Sequence, residues 1–491
     1  MRQQIRYTLP RLSLVALMLA SQQLNSVYAY ACKEKIIVIG AGVSGLAAAK
    51  KLHDEGCDVT VLEGRDRLGG RIFTSQVGDL TIDMGASWIH GIGKGADGLK
   101  EWENKYNPLY QVTLDNKITT LATWQDEGDT ESLYFWYKGG ETTYDVGTVF
   151  KNFENSLEDL QEEADINTSL KDLYSKYDLT KKTSKGDAKV DQNIKDYTLA
   201  YFYGFEYAAD ADQLSGKYID NDSYFFGPEH IFPDGYIQIP KALAKNLNVI
   251  LNQKVTKIDY SKDSVNVITE NGKVYEADRV VVTVPLAILK SNMITFTPQL
   301  PKSKQDSIEK MGAGLMDKLY LEFEDVFWDE EADWLDYISD GNVKWGITLN
   351  YYKYTKKPVL LMFNIGKDAR EFAEMSDEDV IKQAMETLRT MYPKATDYVA
   401  YKRSNWSHDE FARQAYSFVK IGATKKDPLN IASDIDKKIY FAGEHTNFNF
   451  LGSAHGAYIS GTDAASKIIE DYNSNFEQSL VSNFMYLRFA F

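Results

Sequence analysis

Residues 36–39, Ile-Ile-Val-Ile, form an unbroken apolar run between Lys35 and Gly40. Such a run suits a short strand covered on both faces, since a half-exposed strand would alternate. A helix-forming stretch, LAAAKKLHDEG, follows and leads into a second strand over 58–62. Further on, the pattern predicts strands over 252–260, 265–269, 279–284 and 359–363. Helical spacing predicts helices over 150–160, 170–177 and near 379–391. Residues 180–190, TKKTSKGDAKV, are polar and charged and read as an exposed loop. At the N-terminus a basic start (Arg2, Arg6, Arg11) precedes nine apolar-rich residues, 12–20, too few to span a bilayer. With the small residues of Val27-Tyr28-Ala29, this reads as a signal peptide over 1–29. An uncleaved anchor and lipid attachment at Cys32 are the alternatives. Beyond Asp471 the chain reads as a loose extension whose apolar end, FMYLRFAF, is too short to span as a helix.

At 491 residues the chain has room for two or more domains. Its net charge of −16 argues against a nucleic-acid surface and favours approach of a cationic substrate. No membrane association is expected. Cys32 and Cys57 each precede a predicted strand, and those strands should be parallel neighbours, so a disulfide is expected, with two free thiols as the alternative. Two cysteines and six histidines show no metal-ligand spacing. Asn167, Asn221 and Asn405 begin N-x-S/T sequons.

The first strand runs into Gly40, Gly42 and Gly45, spaced G-x-G-x-x-G. The first glycine allows a tight turn, the second lets a pyrophosphate approach the backbone, and the third lets the helix pack closely on the strand. Amides at the helix start can hold the phosphate charge. Glu63, closing the second strand, can accept both hydroxyls of an adenosine ribose. The run Arg65-Asp66-Arg67-Leu68-Gly69-Gly70-Arg71 then resembles the second glycine motif of FAD enzymes of the glutathione-reductase structural type. In that group the arginine after the glycine pair, here Arg71, binds the pyrophosphate. NAD is the competing cofactor up to this point.

Residues 83–91, Asp-Met-Gly-Ala-Ser-Trp-Ile-His-Gly, resemble the flavin-facing loop of the polyamine oxidase, monoamine oxidase and histone-lysine demethylase superfamily, in the form found in spermine and acetylpolyamine oxidases. The resemblance implies that Ala86, Ser87 and Trp88 run beside the flavin and that His90 points into a substrate channel. Tyr203-Gly204-Phe205-Glu206-Tyr207-Ala208-Ala209 resembles a channel-lining segment, with Glu206 set between aromatics that suit an alkylammonium. Phe232-Pro233-Asp234-Gly235-Tyr236 resembles F-P-x-G-Y, and Val255 matches the residue whose backbone holds the adenine. Lys318 matches the lysine that holds a water against flavin N5. Trp406, in Asn405-Trp406-Ser407-His408-Asp409, matches a tryptophan packed on the flavin. Residues 440–446 and 452–461 resemble the closing flavin signature, implying that Glu444 and the helix start around Ser453 contact FAD. Tyr416 and Tyr458 are expected to form the two walls of an aromatic sandwich. The covalent cysteine of monoamine oxidases has no counterpart, so the FAD should be non-covalent.

The resemblance implies an α/β protein: an FAD-binding Rossmann-like domain of glutathione-reductase type (33–95, 228–300, 402–472) with an inserted α+β substrate domain (96–227, 301–401) and a tail over 473–491. The implied reaction is oxidation of a polyamine-like amine by hydride transfer to flavin N5, with oxygen as acceptor, giving aldehyde, amine and hydrogen peroxide. Lys318, Tyr416, Tyr458, His90 and Glu206 would carry it, in an exported protein. A monoamine or L-amino-acid oxidase of the same fold and a non-catalytic secreted flavoprotein are the alternatives.

Overall fold

The structure, a computed structural model, describes residues 32–123, 133–137, 140–141, 146–176, 192–219, 222–338 and 344–489. The expected signal peptide, the loop at 180–190 and the sequon at Asn221 lie outside them. Strand β1 (Lys35–Ile39) leads into helix α1 (Val43–Asp54) and strand β2 (Asp58–Leu62), as the apolar pattern predicts. Three later strands join the same sheet: β3 (Asn248–Ile250), β4 (Arg279–Val282) and β5 (Ile439–Phe441). All neighbours are parallel and the order is β3-β2-β1-β4-β5, the doubly wound arrangement.

Alternation along these strands sends side chains into two different cores. Ile36, Val38, Val59, Val61, Val281 and Tyr440 pack with Leu46, Ala49 and Leu52 of α1 and with Ala465 and Ile468 of the last helix, α2 (Ala454–Phe489). Ile37, Ile39, Leu62, Val280, Val282 and Phe441 face the other way, onto Val255, Ile258, Val265 and Val267 of a four-stranded sheet. The central sheet is thus covered on both sides, which explains its nearly continuous apolar strands. Cys32 and Cys57 are joined by a disulfide, as expected from the adjacency of β1 and β2.

A second, seven-stranded sheet is built from Leu133–Tyr137, Gly140–Glu141, Met316–Phe323, Trp334–Ile338, Ile347–Asn350, Val359–Ile365 and Tyr398–Arg403. Its longest strand, Met316–Phe323, is buried on both faces. Leu319, Leu321 and Phe323 pack toward the helix Asp377–Met391, whose apolar residues Val380, Ile381, Ala384, Leu388 and Met391 recur at helical spacing. Ser376 caps that helix by accepting from the Asp379 amide. Lys318 and Tyr320 point the opposite way, toward the loop that starts at Asp83.

The tail corrects one expectation. Beyond Asp471 the chain is not a loose extension but continues α2, unbroken to Phe489. No glycine or proline interrupts residues 462–489, so nothing local stops the helix.

Candidate active site

The carboxyl ends of β1 and β4 mark the point where strand order reverses, the usual ligand crevice of such sheets. Thr283, just after β4, donates its hydroxyl to Ile39 O at 2.7 Å and closes the two ends together. Gly40 turns there at φ +105°, and a Cβ on Gly45 would lie 2.0 Å from Gly40 O. Both glycines are therefore fixed by backbone geometry. Gly42 is different: a Cβ there would meet nothing within 4 Å, and α1 begins at it without a side-chain cap. An open cradle before an uncapped helix start fits a dinucleotide pyrophosphate. Gly70 closes over it, its Cβ position 3.4 Å from Gly42 Cα.

Glu63 is buried, with Oε2 accepting from Ala41 N at 2.7 Å and Oε1 from Arg65 N at 2.9 Å. Burial pushes its pKa up, partly offset by those two amides and by Arg65 and Arg67. Each oxygen keeps a second acceptor site, so the expected ribose contact would be added to a job already done in holding the turn. Arg65 is occupied by Asp409 through two parallel bonds of 2.7 and 2.6 Å. Arg71 donates to Ala415 O and to Glu444 Oε1, both at 2.8 Å. Glu444 also accepts from Ser417 Oγ at 2.9 Å and from the amides of Ser417 and Gly452. Its carboxylate is thus a clamp between three segments rather than a free ligand group. Burial opposes its charge, but Arg71 and His445, with these bonds, outweigh that and hold its pKa below the usual value. Val255 lies beside this corner, since Gln253 N donates to Glu63 O at 2.7 Å.

The loop 83–88 is held by its carbonyls. Lys318 Nζ donates to Asp83 O at 3.0 Å, to Gly85 O at 2.6 Å and to Ser87 Oγ at 2.5 Å. Tyr320 OH also reaches Asp83 O, at 2.9 Å, and Trp406 Nε1 reaches Met84 O at 3.1 Å. Gly85 is required because its Cβ would fall 1.8 Å from Arg71 O and 3.0 Å from Trp406. Ala86 N donates to Arg71 O, which ties this loop to the glycine-rich corner. The Asp83 side chain, which sequence reasoning missed, accepts from Thr74 Oγ1 at 2.5 Å and from Tyr236 N. Burial drives the Lys318 pKa down and the Asp83 pKa up, each moderated by the other's charge. Three consecutive backbone carbonyls are a feature no residue pattern displays.

From Lys318 a chain of aromatic contacts runs toward Glu206. Its Nζ lies 5.2 Å from the Trp88 ring and 5.9 Å from Phe363. Phe363 meets Phe205 edge-on at 5.0 Å. Tyr416 OH donates to Phe205 O at 2.8 Å, and the adjacent Glu206 is exposed. Burial and the Glu206 charge raise the Tyr416 pKa. The structure therefore brings Lys318, Ser87, Trp88, Trp406, Tyr416 and Glu206 into one region. Two residues beyond Trp88, His90 is half-exposed, with Nδ1 2.7 Å from Glu229 Oε2.

Tyr458 does not join them. It lies on the stripe of α2 that packs against α1, with Ala454, Ala457, Ala464 and Ala465. Burial and the carboxylates of Asp115 and Asp54 raise its pKa, whereas Glu206 acts on Tyr416. The expected two-tyrosine sandwich is corrected accordingly: Gly452 is the α2-side residue against Tyr416, its Cβ position 3.3 Å from Tyr416 Cδ2. Residue 458 sits one helical turn inside α2, where the spacing of small residues turns it to α1. Ser453 caps α2, accepting from Gly456 N at 2.9 Å. The sequon at Asn405 is tied down, its amide nitrogen donating to Ala373 O, while Asn167 is exposed.

The family model for flavin containing amine oxidoreductase matches residues 43–469. The chain is 33% identical to Polyamine oxidase 4 of Oryza sativa subsp. japonica over 88% of its own length and 87% of that protein. It is 32% identical to Polyamine oxidase 2 of Arabidopsis thaliana, covering 89% of each. Lysine-specific histone demethylase 2 of Homo sapiens matches at 31% over 89% of this chain but 53% of the demethylase. A solved putrescine oxidase bound to putrescine superposes with TM-score 0.70 at 20% identity, covering 89% of this chain and 99% of that one, a likeness of fold.

Proposed function

We propose that this chain, which belongs to the flavin-containing amine oxidoreductase family and is an FAD-dependent amine oxidase, acts on polyamines outside the cytoplasm. The observation that carries the polyamine reading is the chain of aromatic contacts running from Lys318 through Trp88, Phe363 and Phe205 to Glu206. Ring faces attract an alkylammonium and a carboxylate pairs its charge, so an extended amine with a second positive group is matched at both ends. The relatives named polyamine oxidases support the same reading. Export is supported by the signal-like N-terminus and by the Cys32–Cys57 disulfide.

FAD, when bound, supplies the acceptor for hydride from the amine α-carbon and delivers the electrons to oxygen as hydrogen peroxide. The uncapped start of α1 and the space at Gly42 would hold its pyrophosphate. Both cysteines of the chain are consumed by the disulfide, so no thiol remains for a covalent link. Lys318 shapes the loop 83–88 that faces the reacting end and places a buried amine there. Tyr416 forms one wall, and Phe205, backed by the buried Phe363, excludes water from the aliphatic chain of the substrate. Glu206, at the exposed end, would draw the distal ammonium and so set which carbon lies near Lys318. The oxidised substrate is then hydrolysed to an aldehyde and a smaller amine.

The test is a peroxide-release assay of the purified holoprotein with spermine, spermidine, putrescine, tyramine and a panel of L-amino acids. The expected result is turnover of one or more polyamines at a kcat/KM at least about tenfold above tyramine and every amino acid. Preference for a monoamine or an amino acid, or absence of peroxide with a flavin-loaded protein, would overturn the proposal.

A further inference from the structure

Strand Trp88–Ile89 pairs antiparallel with His230–Ile231, with Ile89 opposite His230. One step further, His90 and Glu229 face each other, and their side chains meet: Glu229 Oε2 is buried and lies 2.7 Å from His90 Nδ1. Both backbones are pinned. Asn107 Nδ2 donates to His90 O at 2.8 Å, and the amide and hydroxyl of Thr123 donate to Glu229 O at 2.9 and 3.1 Å. The pair stands at hydrogen-bond distance without hydrogen-bond geometry, so a turn of the half-exposed imidazole is needed to complete the bond. Behind His90 stands His455, its ring 6.3 Å away, buried between Phe225 and Phe450 at 5.3 and 5.0 Å. Burial, with His90 next, keeps His455 neutral. Of these three side chains, Glu229 is therefore the one that supplies negative charge.

We propose that Glu229 is a positioning residue that holds the proton of His90 on Nδ1, so that Nε2 presents a lone pair to a second ammonium of the substrate, other than the one drawn by Glu206. A carboxylate on one imidazole nitrogen fixes which tautomer the other displays. His90 stands two residues along an extended chain from Trp88, roughly 7 Å beyond the Lys318 end of the chain of aromatic contacts. The inference rests on the polyamine reading above and gives a second cationic subsite on the His90 side, away from Glu206.

The test is a double-mutant cycle with spermidine, combined with anaerobic calorimetric titration of spermidine into each flavin-loaded holoprotein. Glu229→Ala should raise KM and the calorimetric Kd about tenfold while kcat changes less than about twofold. Glu229→Gln, which keeps an oxygen to accept the Nδ1 proton, should recover most of that loss. In a His90→Ala background, Glu229→Ala should cost nothing more, because its effect passes through the imidazole. Unchanged KM and Kd in Glu229→Ala, losses that add across the cycle, or a loss confined to kcat would each overturn the proposal. Failure of the polyamine reading is distinct: the unsubstituted protein would then neither bind nor oxidise spermidine.

Discussion

Replacing Lys318 by methionine tests the centre of the site with a worked magnitude. The substitution keeps an unbranched stem in the space beside Trp88 and Phe363 and removes the amine that binds Asp83 O, Gly85 O and Ser87 Oγ. Each bond from a charged donor contributes roughly 1.5–3 kcal/mol. Against this, burial draws the Lys318 pKa from 10.5 to about 7, with Asp83 pulling the other way. At about 1.4 kcal/mol per pH unit, holding the charged form in place costs about 5 kcal/mol. The two terms offset to within a few kcal/mol, and Asp83 O keeps Tyr320 OH, so the variant should fold and load flavin.

The sign of the pH effect then separates wild type from variant. Below about pH 7 the lysine is protonated in folded and unfolded chains alike. From about pH 7 to 10.5 the unfolded chain carries a proton that the folded one lacks, so folding stability rises with pH by up to about 1.4 kcal/mol per unit. The methionine variant has no such contribution. Urea unfolding of both proteins should show wild type gaining roughly 2–3 kcal/mol on the variant between about pH 7.5 and 9.5. Stopped-flow measurement should show slower flavin reduction, reoxidation or both. Parallel stability curves together with unchanged half-reactions would refute the placement of a buried lysine with a lowered pKa at the centre of the site.

Three further outcomes follow from the geometry. Gly42→Ala should fold with near-wild-type stability yet lose bound FAD on gel filtration, because its Cβ enters open space, whereas Gly45→Ala should not fold stably, its Cβ lying 2.0 Å from Gly40 O. Glu444→Gln replaces a carboxylate by a group that must turn an N–H toward Arg71, Ser417 or Gly452; chemical denaturation should show a loss of about 3 kcal/mol, with faster FAD release. Cys32→Ser opens a loop with a sequence separation of 25 and should cost about 3.5 kcal/mol by the same measurement, with the peroxide activity of the folded fraction retained.

What could be read from the sequence was whatever depends on local periodicity or on a fixed spacing. The run Ile36–Ile39 announces a strand buried on both faces because alternate residues enter two cores, and Gly40, Gly42 and Gly45 have spacing set by one turn and one helix start. Contacts that depend on which carbonyls a long side chain meets could not be read. Lys318 was placed by resemblance, but its three acceptors come from a loop more than 230 residues earlier in the chain. Glu229 had no signal, since its importance comes from the register that sets it opposite His90. Tyr458 shows the opposite error, in which a suitable residue type is near the right place in sequence but on the wrong side of a helix. In GSAHGAYISG, Gly452 precedes the cap and lies against Tyr416, while Tyr458 shares its stripe with Gly461, whose Cβ position is 2.1 Å from Ser44 O of α1. A helix that approaches its neighbour so closely cannot rotate to bring Tyr458 round to Tyr416.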